Sequence, residues 1–280
     1  MRHHTSGRAV RLIILPRMGV KPHSRTQKWI CSWAFVVGEA DMRLLSLMPV
    51  VPWHALANPC RNEAMQAKTY EISPVGRIFA GIVAAVGLAS LLLQYVLLMK
   101  FTRDTIGLLA GNVQFFGYFT ILTNLSIVLV VATAAMGRGG FFARARVRGA
   151  VALYIAVTGL IYVLILRHLW QPQGAAWLAD TGLHYVMPVL YLAWWMLAVP
   201  HGQLQLRDLL KWLLFPLVYL GWALIVGAMI GLYPYPFIDL AALGWVRTLV
   251  NAIGVLFVFL VLGGVILTLD DLLGRRKPGR

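Results

Sequence analysis

The 280-residue chain is 60% hydrophobic and only 12% charged, with a mean hydropathy of +0.75, whereas a soluble domain is about a quarter charged. A soluble core could not hide that much apolar surface, so the composition excludes an ordinary soluble enzyme and points to a chain that crosses a membrane. The net charge of +15 is what a nucleic-acid-binding protein would carry, but in so apolar a chain the basic residues read as orientation signals, and no nucleic-acid partner is expected.

Residues 1–64 carry Arg, His, Pro and Trp without helical or strand period and contain no apolar run of spanning length. They read as a disordered basic extension, or as sequence ahead of a true start at Met65. Ala55-Leu56-Ala57 resembles a small-residue cleavage site but lies too far from the N-terminus for the usual signal peptide. Both cysteines, Cys31 and Cys60, fall in this stretch, so neither a disulfide framework nor a thiolate metal site is expected within the spans. Residues 65–280 still hold 16 basic against 7 acidic residues, a net +9, so the basic bias does not depend on the extension.

Six apolar runs follow, at about residues 76–99, 115–136, 147–166, 183–199, 212–232 and 245–269. About 20 apolar residues cross the hydrocarbon, and the runs lack the period-two alternation of barrel strands. Backbone groups in lipid must be satisfied within the segment, so the expected fold is all-α, a six-transmembrane-helix bundle. The connections leave no room for a soluble domain.

The loops alternate in charge. Lys68, Arg77, Arg138, Arg144, Arg146, Arg148, Arg207, Lys211, Arg275, Arg276, Lys277 and Arg280 fall on one side, twelve in all, against four on the other, Lys100, Arg103, Arg167 and Arg247. Positive residues mark the cytoplasmic face, which predicts both termini in the cytoplasm and loops one, three and five outside.

On this topology several polar residues converge near the outer face. Thr120, Thr123 and Asn124, at i, i+3 and i+4, share one helix face at the start of the second run. Such groups also glue membrane helices together without any further role. Asp180 precedes His184 by four residues at the opening of the fourth run, a spacing that lets the carboxylate bond one ring nitrogen and leave the other free as a base. His168, beside Arg167, is the competing histidine and reads as a boundary residue. Tyr233-Pro234-Tyr235-Pro236 breaks the helix between the last two runs and places aromatics at the interface. A threonine hydroxyl is inert at its free pKa and needs an adjacent base, so Thr120 with His184, oriented by Asp180, forms a candidate nucleophilic site. No H-E-x-x-H, cysteine pair or phosphate-binding glycine loop occurs in the sequence, and neither cofactor nor metal is expected.

At Tyr118-Phe119-Thr120, at His184 followed by Pro188, and at Tyr235-Pro236-Phe237, the chain resembles the androgen-induced gene/androgen-dependent TFPI-regulating protein family and its bacterial relatives among integral membrane proteins. The likeness covers about residues 76–269. The spacing from His184 to Pro188 is one residue tighter than in the eukaryotic pattern. The resemblance implies a multi-span bundle in the bacterial inner membrane that hydrolyses fatty-acid esters, with Thr120 as nucleophile, His184 as base and membrane lipids as partners. The alternative is a non-enzymatic carrier or scaffold. Gln94 is a lone polar residue within its run, and the span centres carry almost no charge, so an ion relay is hard to draw. Oligomeric state is not legible.

Overall fold

The computed structural model describes residues 72–169 and 171–275. The extension 1–64, with Cys31 and Cys60, lies outside the described residues, as do Lys68, Arg276, Lys277 and Arg280. The described residues are helical throughout their ordered elements, and no strand occurs among them.

Helix α1, Pro74–Arg103, starts on a Ser73 cap whose hydroxyl accepts from Gly76 N at 3.1 Å, with proline in the first turn where a missing N–H costs nothing. Helices α2, Leu108–Gly117, and α3, Phe119–Ala135, follow and meet at a 73° bend. The run expected at 115–136 is therefore interrupted at Tyr118, which is extended (φ −85°, ψ 127°). Such a break in lipid exposes backbone groups that must find new partners. Two tyrosines supply them: Tyr219 OH donates to Gly117 C=O at 2.8 Å, and Tyr235 OH accepts from Thr120 N at 3.3 Å.

Helix α4, Ala145–Leu164, is the most enclosed of the long helices and packs against α3 and its later neighbours. Residues 175–198 are helical but not one regular helix: α5, Ala175–Thr181, passes through a π-turn at Gly182–Val186 into α6, Met187–Ala198. The cause is Pro188. It has no N–H to offer His184 C=O and its ring crowds that carbonyl, so the turn widens and Met187 N bonds Gly182 C=O five residues back. Helices α7, Leu206–Trp212, and α8, Leu214–Ile230, run together; α9, Leu240–Arg275, is broken only at Gly244 (φ 71°, ψ 170°).

Four stretches are long and apolar enough to cross a membrane: Pro74–Arg103, Ala145–His168, Leu206–Ile230 and Leu240–Arg275. The bent pair α2 and α3 makes a fifth candidate. This is an all-helical protein built for a membrane.

Hydrogen bonds between elements fix their alternating directions. At one end, Trp194 Nε1 donates to Gly76 C=O at 3.0 Å, Tyr191 OH to Arg148 C=O at 3.0 Å, and Arg77 Nε to Ala135 C=O at 3.2 Å. His201 and Asp270 close the same end, with Nδ1 3.2 Å from the carboxylate, which also accepts Gln203 N and Leu204 N at 2.8 and 2.9 Å. The starts of α3 and α5, the C-terminal part of α4 and the turn at 233–236 gather at the other end. Burial in lipid gains little from removing water, so the core around Trp194, Trp195 and Tyr191 is held by close packing and these polar contacts.

Candidate active site

Thr120 is the second residue of α3, where the unsatisfied N–H groups of a first turn favour developing negative charge. The bend at Tyr118 turns this helix start toward the π-turn. His184 lies in that turn, and its Nε2 is 3.3 Å from Thr120 Oγ1. Its Nδ1 is 3.1 Å from Asp180 Oδ1 and 3.1 Å from Asp180 C=O. Both are acceptors, so Nδ1 carries the proton and Nε2 is left with a lone pair toward the threonine.

Two features of α4 hold the histidine in place. Tyr162 stacks on the imidazole, with ring centroids 4.1 Å apart and planes 14° from parallel, while its hydroxyl donates to Asp180 Oδ2. Asp180 is thus engaged at both oxygens. One turn earlier on the same helix, Gly159 lets the π-turn approach closely: a Cβ there would sit 3.2 Å from Pro188 Cβ.

The other residues singled out from the sequence divide. Asn124 is fully buried and its Nδ2 donates to Thr120 C=O at 2.9 Å and to Leu183 C=O at 3.4 Å, tying the first turn of α3 to the π-turn. Thr123 is also fully buried, but its hydroxyl makes no hydrogen bond among the described residues and does not reach the histidine. His168 is exposed and accepts from Arg167 Nε at 3.2 Å, away from the cluster.

Tyr235 completes the group. Its hydroxyl is 3.4 Å from Thr120 Oγ1 as well as 3.3 Å from Thr120 N, and burial holds the phenol above its ordinary pKa. The Tyr-Pro turn marked this loop in the sequence, but not which tyrosine enters. Tyr162 was not singled out at all. The available signal is that a phenol in an apolar run must find a partner for its hydroxyl.

Thr120 and Tyr235 open onto an apolar cleft of about 770 Å³, mouth included, walled by α4, α8 and α9 through Ile161, Leu217, Leu220, Val255, Leu256 and Phe259. His184 is not among its lining residues, so the base approaches Thr120 from outside the cleft. No group of three His, Cys, Asp or Glu side chains able to hold a metal occurs among the described residues. No family model matches the chain, and no match is found among curated proteins or among solved structures.

Proposed function

We propose that this chain is a lipid esterase of the cell membrane, the bacterial inner membrane, in which Thr120 is the nucleophile and His184 its general base. The observation that carries the reading is the line Thr120 Oγ1, His184 Nε2, His184 Nδ1, Asp180 Oδ1, with hydrogen-bond separations of 3.3 and 3.1 Å, at the edge of an apolar cleft. It is the arrangement of nucleophile, base and orienting carboxylate that acyl transfer requires. The resemblance to the androgen-induced gene family points the same way, and a fatty-acid ester is the substrate that suits the walls.

In the proposed reaction the acyl chain lies in the cleft. Thr120 Oγ1 attacks the ester carbonyl carbon while its proton passes to His184 Nε2. The intermediate collapses as the bond to the alcohol oxygen breaks and His184 protonates that oxygen. Water then adds to the acyl-threonine, again losing its proton to Nε2; the bond to Oγ1 breaks, the proton returns to Thr120, and the fatty acid leaves. Asp180 and Tyr162 keep the imidazole in its tautomer and orientation, Asn124 sets the distance between the two helices that carry the pair, and Thr123 packs behind them. Leu217 both lines the cleft and is half exposed, which makes the bilayer the source of substrate.

The same reading takes residues 65–280 as six spans, counting residues 175–198 as the fourth, with both termini cytoplasmic. Among the described cations, Arg77, Arg138, Arg144, Arg146, Arg148, Arg207, Lys211 and Arg275 belong to the end opposite the site, and Lys100, Arg103, Arg167 and Arg247 to the site's end. That asymmetry supports an outward-facing site.

Turnover of long-chain 4-nitrophenyl esters by the purified protein tests the proposal. Thr120→Ala is expected to lower kcat by on the order of 10⁴-fold, and His184→Ala by about 10²- to 10⁴-fold. Turnover that both variants leave unchanged would sink it. If the wild type binds long-chain esters and hydrolyses none, the cleft belongs instead to a carrier or scaffold.

A further inference from the structure

Two groups lie within hydrogen-bond reach of the Thr120 hydroxyl, and the reaction above uses one. We propose that Tyr235 is a catalytic residue whose phenolic hydroxyl donates the hydrogen bond that holds the carbonyl oxygen of the ester as it becomes an oxyanion. This rests on the reading of Thr120 and His184 as nucleophile and base.

The proton count identifies the donor. Thr120 N–H donates to the Tyr235 oxygen at 3.3 Å, so the phenol's own proton is not used in that bond and points toward Thr120 Oγ1, 3.4 Å away. When Oγ1 bonds to the carbonyl carbon, the charge moves to an oxygen one bond further on. A short swing of the O–H then meets it. The neighbouring phenols are committed elsewhere: Tyr162 OH to Asp180, Tyr219 OH to Gly117 C=O, while Tyr118 OH accepts from Gln114 at 3.4 Å.

The placement is rigid, which is what makes such a donor effective, since it need not reorganise as charge develops. The Tyr235 ring lies parallel to Phe237, with centroids 5.2 Å apart and planes at 5°, and edge-on to Tyr118 at 6.0 Å. Prolines 234 and 236 fix the backbone on either side. Asn251 Nδ2 from α9 anchors Phe237 C=O at 2.9 Å. Tyr235 also lines the same cleft as Thr120, so a carbonyl seated there meets nucleophile and donor together. Burial keeps the phenol protonated above its ordinary range, so it remains a donor wherever His184 can act as a base.

The step balances without any further reactant. The Oγ1–carbon bond forms, the carbonyl π pair moves to oxygen, the threonine proton goes to His184 Nε2, and Tyr235 keeps its proton while sharing it with the oxyanion.

Tyr235→Phe removes one oxygen and keeps the ring. The expected result is a fall in kcat of about 10²- to 10³-fold with KM within about threefold. Affinity for a long-chain alkyl boronate, which is tetrahedral and anionic when bound, is expected to fall in parallel, while affinity for a non-hydrolysable ether analogue of the ester holds. A purely structural tyrosine would move both affinities together. Unchanged kcat, or parallel loss of boronate and ether binding, overturns the assignment. Inactive Thr120→Ala and His184→Ala beside a fully active Tyr235→Phe would overturn this role alone, whereas a fully active Thr120→Ala would overturn the underlying reading. Should Tyr235→Phe not fold, 3-fluorotyrosine at 235, a stronger donor of nearly the same size, is expected to tighten boronate binding, and unaltered affinity counts against the role.

Discussion

Asp180 and Tyr162 decide what His184 can do. The carboxylate at Nδ1 selects the tautomer with a lone pair on Nε2, and the Tyr162 hydroxyl and ring prevent carboxylate and imidazole from turning away. Asp180→Asn replaces the acceptor with a group that can donate to Nδ1 and trap the wrong tautomer, so kcat is expected to fall by on the order of 10²- to 10⁴-fold. Tyr162→Phe removes one hydrogen bond to a charged group, about 1.5–3 kcal/mol, and is expected to lower kcat by about 10- to 100-fold with little effect on KM. Steady-state kinetics on the two variants checks both, and a Tyr162→Phe protein with wild-type kcat would remove Tyr162 from the machinery. The Asp180–His184 juxtaposition was legible because four residues is a helical neighbour spacing. That spacing could not say which of Thr120, Thr123 and Asn124 meets the histidine. The choice depends on the bend at Tyr118, which makes Thr120 a first-turn residue and leaves Thr123 behind it.

At the scale of elements, the site is made by irregularities rather than by straight helices. The break at Tyr118 and the π-turn at Gly182–Val186 aim Thr120 and His184 at each other. Hydropathy cannot see either feature, because Gly, Tyr and Pro interrupt an apolar run without lowering its average; the runs at 115–136 and 183–199 therefore read as plain spans, and α5 was not anticipated. Pro188 was visible, but its effect on the turn depends on what packs there. Gly159 is that partner. Gly159→Val would force its new side chain against Pro188, separating α4 from the π-turn. The expected cost is about 1–3 kcal/mol of stability, together with a fall in kcat on the order of 10²-fold as the Tyr162 stack is lost, while Gly159→Ala needs only a few tenths of an ångström and should be far milder. Thermal stability in detergent and ester turnover measure the two effects, and a Val variant as active as wild type would show that the close approach does not position the histidine.

For the molecule as a whole, composition and charge made the membrane character legible, because neither depends on tertiary contacts. The cation asymmetry between loops became an asymmetry between the two ends of the bundle. In the proposed orientation the loop at residues 137–144 faces the cytoplasm and the site's end faces outward. In a Cys31→Ser/Cys60→Ser background, Gly139→Cys is expected to react with an impermeant maleimide only in inverted vesicles, and Gln171→Cys only in intact spheroplasts. The reverse pattern would contradict the orientation. The apolar cleft could not be read from the sequence, since its walls come from α4, α8 and α9 and look like any other span residues until they are packed.

The central claim is that Thr120 is a nucleophile activated by His184. Its most direct test is covalent: purified protein treated with a long-chain alkyl fluorophosphonate, digested, and mapped by mass spectrometry. The account predicts a single phosphonyl adduct on Thr120, abolished by Thr120→Ala and strongly slowed by His184→Ala. An adduct on another residue, or labelling that neither substitution changes, would contradict it.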